Sequence, residues 1–123
     1  MLFALTEASV GKSYIYDIKD GKVYYAGFLI RARINATTNP EFIFQNTLTK
    51  KYKKFVSVTS QRSGQPGINA KVYKNYYISM PQIDEQDKIG KFLKSLDNNI
   101  ILHHSKANLI NLIKKEYLHK MFL

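Results

Sequence analysis

The chain has no cysteine, so neither a disulfide framework nor a thiolate metal site holds it together. It has three prolines, and none follows Pro81. No apolar run is long enough to cross a bilayer. The opening Met1-Leu2-Phe3-Ala4-Leu5-Thr6-Glu7 lacks the basic lead and longer apolar core of a secretion signal. A cytoplasmic chain with no membrane partner is expected. Acidic residues are scarce, 9 against 19 Lys and Arg in 123 residues. The imbalance is uneven: residues 1–81 hold 12 basic and 4 acidic residues, and residues 82–123 hold 7 and 5. A basic body suits a polyanion and a balanced tail suits a protein, although basic solvated faces are common enough that composition leaves nucleic acid undecided. There is no internal repeat and no low-complexity segment.

The last third is the most patterned stretch. Ile89, Leu93, Leu96, Ile100, His103, Ala107, Ile110, Ile113, Tyr117 and Met121 recur in steps of three and four, a narrow stripe close to a coiled-coil seam. Pro81 blocks helix before it, Asp84 is placed to cap, and Asp84–Lys88 and Asp87–Lys91 are helix-spaced ion pairs. One helix of roughly 55–60 Å is predicted, in preference to a hairpin broken at Asp97-Asn98-Asn99. The division expected is a globular body, 1–81, and a long helix, 82–123. The fold class is α+β: a small body of mixed sheet and helix, then one long coiled-coil-forming helix.

Within the body, Met1–Leu5 reads as a short buried strand. Ser13–Ile18 and Lys22–Tyr25 flank Lys19-Asp20-Gly21, a hairpin signal. Phe28–Ile34 alternates, with Arg31 and Arg33 on one face. Asn39 and Pro40 start a helix whose core residues are Phe42, Ile43, Phe44 and Leu48. Lys50–Val56 is a basic helix or turn with Tyr52, Phe55 and Val56 inward. A polar loop at 60–69, a short turn from Asn69 and a strand Tyr76–Met80 lead to the long helix.

Tests for chemistry come out negative. Asn39-Pro40-Glu41-Phe42 has the outline of the Asn-Pro-Pro-Tyr loop of amino-methyltransferases without its second proline. Gly11-Lys12-Ser13 has the tail of a phosphate loop, but Thr6 stands where the first glycine is needed. His103 and His104 face different ways on a helix, and His119 is four turns on, so no zinc site forms. No pair of carboxylates with a lysine stands at nuclease spacing. No catalytic residue, metal or cofactor is expected.

One set of motifs is specific. Arg62-Ser63-Gly64-Gln65-Pro66-Gly67-Ile68-Asn69-Ala70-Lys71 is followed by Tyr76–Pro81 and by Asp84-Glu85-Gln86-Asp87-Lys88-Ile89. This order resembles the specificity subunit of type I restriction–modification systems, which joins a Ser-Gly-Gln-Pro-x-Ile-Asn loop to a strand ending in proline and a Glu-Gln-x-x-Ile start of a spacer helix. Thr6–Lys12 resembles the family's Thr-Gly-x-x-Gly-Lys turn, and Tyr24–Gly27 with Leu29–Arg33 fits the strands after it. The resemblance covers essentially the whole chain. It implies a non-catalytic role: reading a half-site in duplex DNA and docking methyltransferase subunits through the helix. S-adenosylmethionine would belong to the methyltransferase, and ATP and magnesium to the motor-nuclease restriction subunit. Full subunits carry two recognition domains whose spacer helices pack antiparallel. This sequence departs from them in having one domain, in beginning inside that domain, and in placing Glu7 where the turn usually has glycine. It therefore resembles the C-terminal part of a half subunit, with pairing of two copies through antiparallel helices as the expectation.

On this resemblance Ser9, Lys12 and Ser13 position phosphates, with a plain connecting turn as the alternative. Arg31 and Arg33 contact phosphates or guanine edges, or form a solvated face. Lys50, Lys51, Lys53 and Lys54 add salt-dependent affinity, or are a solvated helix face. Arg62, Ser63 and Gln65 reach a groove, or the glycines around them merely shape a turn. A fragment that binds partner subunits through its helix without reading DNA is the competing function, and a general basic nucleic-acid binder is a third.

Overall fold

The computed structural model describes residues 1–61 and 67–122. Three short antiparallel strands, β1 (Leu2–Ala4), β2 (Ser13–Tyr14) and β3 (Leu29–Arg31), form a sheet in the order β2-β1-β3. The chain's first strand is therefore the central one, and Ala4 is among the few buried apolar residues described. Four helices follow: α1 (Pro40–Asn46), α2 (Lys50–Ser60), α3 (Ala70–Tyr73) and α4 (Ile83–Met121). The chain divides into two compact units, Met1–Gly90 and Lys91–Leu123.

Local chemistry sets the helix starts. Asn39, Thr49 and Asn69 each take extended backbone, and each side-chain oxygen accepts the third helical N–H, from Phe42, Tyr52 and Val72. Each such cap is worth about 1 kcal/mol. The Asn39-Pro40 start is the one read from sequence. At α4 the helix already begins at Ile83, so Asp84 lies inside the first turn instead of capping it. Gln86 reaches back instead: its Nε2 donates to the Pro81 carbonyl at 2.8 Å, and its Oε1 accepts the Asn39 N–H at 3.0 Å. Asn39 Nδ2 donates to Asp87 at 2.6 Å. A Cβ on Gly90 would sit 2.9 Å from Asn39 Oδ1. The first two turns of α4 are thus fastened to the start of α1 by Gln86, Asp87 and Gly90.

The body packs around tyrosines. Tyr52 is 3 % exposed and meets Tyr76 edge-on at 5.2 Å, while Phe3 lies 5.3 Å from Tyr73. Their hydroxyls are satisfied by backbone of the sheet layer: Tyr52 donates to the Gly11 carbonyl at 2.7 Å and Tyr73 to the Ala4 carbonyl at 2.6 Å. Burial raises the pKa of both phenols, so they remain donors throughout the physiological range.

Several expectations need correction. Lys19-Asp20-Gly21 does not turn a hairpin. Asp17 and Asp20 form a reciprocal capping box on a 3-10 turn, Ile18–Asp20, and Lys22–Tyr25 is not a strand. The expected strand Tyr76–Met80 belongs to no sheet and is a connector, with Tyr76 and Ile78 half-buried and Tyr77, Ser79 and Met80 exposed. The Phe28–Ile34 strand is confined to Leu29–Arg31. Leu48 sits past the end of α1 and is 48 % exposed, so it is not a core residue. At Asp97-Asn98-Asn99 the helix does not break, and α4 runs through it as expected.

Candidate nucleic-acid interface

The sheet has two unlike faces. Leu2 is paired directly with Tyr14 and with Arg31, and Phe3 with Ser13 and with Ile30. Directly paired residues share a face, so Phe3, Ser13 and Ile30 point one way and Leu2, Tyr14 and Arg31 the other. The Phe3 face turns toward the helices: Phe3 stacks on Tyr73 and the Ser13 hydroxyl bonds Thr47 Oγ1. The Thr47 hydroxyl in turn donates to the Phe44 carbonyl at 2.6 Å, which makes Ser13 the donor in the pair. Its proton is spent inside the body and cannot be offered to a phosphate.

The Leu2 face carries the charge. Lys12, two residues before Tyr14, shares a hollow of about 370 Å³ with Ser9, Tyr14, Val23, Tyr24 and Leu29. Arg31 lines a second hollow of about 170 Å³ with Leu2, Tyr14, Tyr16, Val23 and Tyr25. Lys12 and Arg31 belong to opposite edges of the sheet, about 10 Å apart as two strand spacings. Arg33 is exposed and lies past the end of β3.

The Lys12 turn is held in place by α2. Gly11 has φ +79°, and a Cβ there would approach Val56 Cγ1 to 2.5 Å. Only glycine suits both the left-handed backbone and the close approach. The Gly11 carbonyl takes the Tyr52 hydroxyl, and the Lys12 N–H returns to the Ser9 carbonyl at 2.9 Å. On the other side of this turn, Lys12 and Lys53 line one groove of about 480 Å³ with Val56 and Ser57.

The four lysines of α2 do not act alike. At about 100° per residue, Lys50 and Lys54 point opposite the buried Tyr52, and Lys53 flanks the groove. Lys51 is occupied: its Nζ donates to the Tyr77 carbonyl at 3.1 Å and lies 5.9 Å from the Tyr76 ring centre. Arg62, Ser63 and Gln65 lie outside the described residues, as does the side chain of Glu7. Further along, Gly67 bridges Thr6, and Ile68 donates to the Leu5 carbonyl at 2.8 Å.

Along α4, Ile89 and Leu93 are half-buried, whereas Leu96, Ile100, His103, Ala107, Ile110, Ile113, Tyr117 and Met121 are exposed. Large apolar side chains such as Ile100 at 66 % and Met121 at 73 % exposure leave this stripe uncovered. No group of three or more potential metal ligands occurs among the described residues. No helix there is long and apolar enough to cross a membrane. The sequence reading missed Tyr14, Tyr16 and Tyr25 beside the cations. Their signal is the alternation Lys12, Tyr14, Tyr16, which by itself reads only as half of a hairpin.

Fold and site together are a basic body of sheet and short helices followed by a long helix with an uncovered apolar stripe. Comparison with known proteins makes this specific. The chain belongs to the type I restriction modification DNA specificity domain family, whose model matches residues 2–112. It is also similar to the type I restriction enzyme MjaVIII specificity subunit of Methanocaldococcus jannaschii, with 29 % identity over 68 residues. That stretch is 55 % of this chain and 16 % of the relative, so the chain corresponds to a small part of it. No solved structure matches. The family has a DNA-specificity role and is non-catalytic.

Proposed function

We propose that this chain is a half-site reader of a type I restriction–modification system. Residues 1–81 approach duplex DNA, and residues 82–123 form the spacer helix that docks the methyltransferase subunit. Ser9 and Lys12, with Lys50, Lys53 and Lys54, meet phosphates, and Arg31 and Arg33 reach phosphates or base edges. The Arg62, Ser63 and Gln65 loop supplies further groove contacts. Ser13 supports the turn from inside. Two copies pair through antiparallel α4 helices, so that one recognition module serves both half-sites. S-adenosylmethionine sits on the methyltransferase, and ATP and magnesium on the restriction subunit.

The family match over residues 2–112 carries this reading, because it takes in the Lys12 turn, α2 and most of α4 together. The test is charge reversal. Lys50→Glu, Lys53→Glu and Lys54→Glu, with Lys51 kept for its structural bond, are expected to weaken duplex binding at least tenfold. The slope of log K against log salt should fall by roughly 0.9 for each phosphate that is no longer neutralised. An unchanged slope would remove these lysines from the interface.

A second reading draws on the uncovered stripe of α4: a fragment that joins partner subunits through the helix and does not read DNA. In that case the same charge reversals leave complex formation with the methyltransferase subunit intact and change nothing else.

A further inference from the structure

We infer that the hollow bounded by Tyr14, Tyr16, Tyr25 and Arg31 takes an unpaired nucleobase together with its phosphate. The inference rests on the DNA-binding reading and adds to it a site for a base outside the duplex stack.

The walls are aromatic on three sides. Tyr14 is fixed in place: its hydroxyl donates to the Asp20 carboxylate, which also accepts the Asp17 N–H at 3.0 Å. Asp17 in turn accepts the Lys19 N–H at 3.1 Å. The capping box of the 3-10 turn thereby holds one ring in position. Tyr16 and Tyr25 are 53 % and 47 % exposed, so their rings are accessible to an incoming ligand. Met1, Leu2 and Val23 line the hollow with them, and Arg31 completes the lining.

The occupant follows from this chemistry. Arg31, with Arg33 close by in sequence, opposes a cationic ligand, so the cage is unsuited to an ammonium group. A wholly apolar peptide side chain leaves the guanidinium without a counter-charge. A nucleobase meets both demands, since its ring stacks on tyrosine and on the guanidinium plane while its phosphate pairs with Arg31. A base inside the duplex has both ring faces covered, and a hollow of about 170 Å³ has no room for a base pair. Only an extrahelical or single-stranded base can enter. Lys12, across the sheet on the same face, anchors the backbone of the same strand.

The test uses the full chain, which has no tryptophan, so that its ultraviolet emission reports tyrosine directly. Two probes are compared: a fully paired duplex, and the same duplex with one bulged 2-aminopurine. The bulged duplex is expected to bind about tenfold more tightly, with 2-aminopurine and tyrosine emission both quenched. The double variant Tyr16→Leu/Tyr25→Leu keeps apolar bulk without a stacking ring and is expected to lose that advantage. Tyr16→Phe/Tyr25→Phe is expected to keep it, and paired-duplex affinity should change less than about twofold in either. Equal affinity for the two probes in the unaltered chain overturns the inference, as does an advantage that survives the leucine variant. Loss of methyltransferase binding by the leucine variant, with nucleic-acid binding unchanged, reassigns the surface to a protein partner. If the paired duplex binds with its salt dependence and the bulge adds nothing, the pocket alone is refuted. If neither probe binds, the DNA reading fails and the pocket with it.

Discussion

Gly11 shows how much of the interface depends on one small residue. Its backbone is left-handed, its carbonyl receives Tyr52, and its α-carbon faces Val56. Gly11→Ala is expected to destabilise the body by about 2 kcal/mol or more in urea unfolding. Adding Val56→Ala should recover the steric part and leave the cost of the backbone conformation. Recovery of full stability in the double variant would show that strain at φ +79° is negligible. Tyr52→Phe removes the donor to a buried carbonyl and should cost about 1–2 kcal/mol. Tyr52 reads as inward from the sequence, but its pairing with Gly11 does not, because the two lie 41 positions apart and nothing local links them.

The Tyr14–Asp20 pair gives a pH signature at the same scale. The hydrogen bond to Asp20 pushes the Tyr14 phenol up to about 12 and, from the other side, lowers the Asp20 carboxyl. An unfolded tyrosine ionises near ~10. The pair's contribution is therefore present below pH ~10 and lost as pH rises toward about 12. For Asp20 the contribution is present above the ordinary carboxylate pKa and lost on acidification through its lowered value. Tyr52, Tyr73 and Tyr76 also titrate late, so spectrophotometric titration of Tyr14→Phe should show one late tyrosine fewer than the unaltered chain. A titration curve identical in the two proteins would contradict the pairing.

Among the elements, those specified by short-range chemistry were legible in the sequence. Asn39-Pro40 announces α1 through its side chain and fixed φ, and α4 announces itself through its period and lack of proline. The failures share a cause: alternation reports extended backbone but not whether a partner strand exists. Tyr76, Tyr77 and Ile78 alternate in burial, yet the segment has no ladder. The Asp20-Gly21 pair has the composition of a hairpin turn, yet a capping box from Asp17 makes a 3-10 turn instead. The Lys50–Lys54 cluster was visible as charge, whereas the commitment of Lys51 to the Tyr77 carbonyl depends on a segment 26 positions away. For α4, Ile100→Asp/Ile110→Asp is expected to abolish self-association in sedimentation at micromolar concentration, with the thermal transition of the body unchanged. A mass of one chain for the unaltered protein would refute the pairing itself.

For the whole molecule, the excess of charge and the helix-spaced apolar stripe fall in different stretches of the chain. The excess of cations belongs to residues 1–81, and the uncovered apolar stripe belongs to α4. Composition alone carries that division, and the family match over residues 2–112 gives it a shared purpose. The sheet adds what composition lacks. Its pairing brings Lys12 and Arg31 onto one face and sends Ser13 to the other, a sorting that one strand's alternation cannot establish without knowing its neighbours.

The most direct measurement is base-resolved adenine methylation in cells that express this chain with its methyltransferase subunit. A new motif made of two identical inverted half-sites is the expected result, because two copies of one recognition module must read the same sequence on opposite strands. A complex that forms with the methyltransferase and writes no new motif would contradict half-site reading and leave α4 as the functional part of the chain.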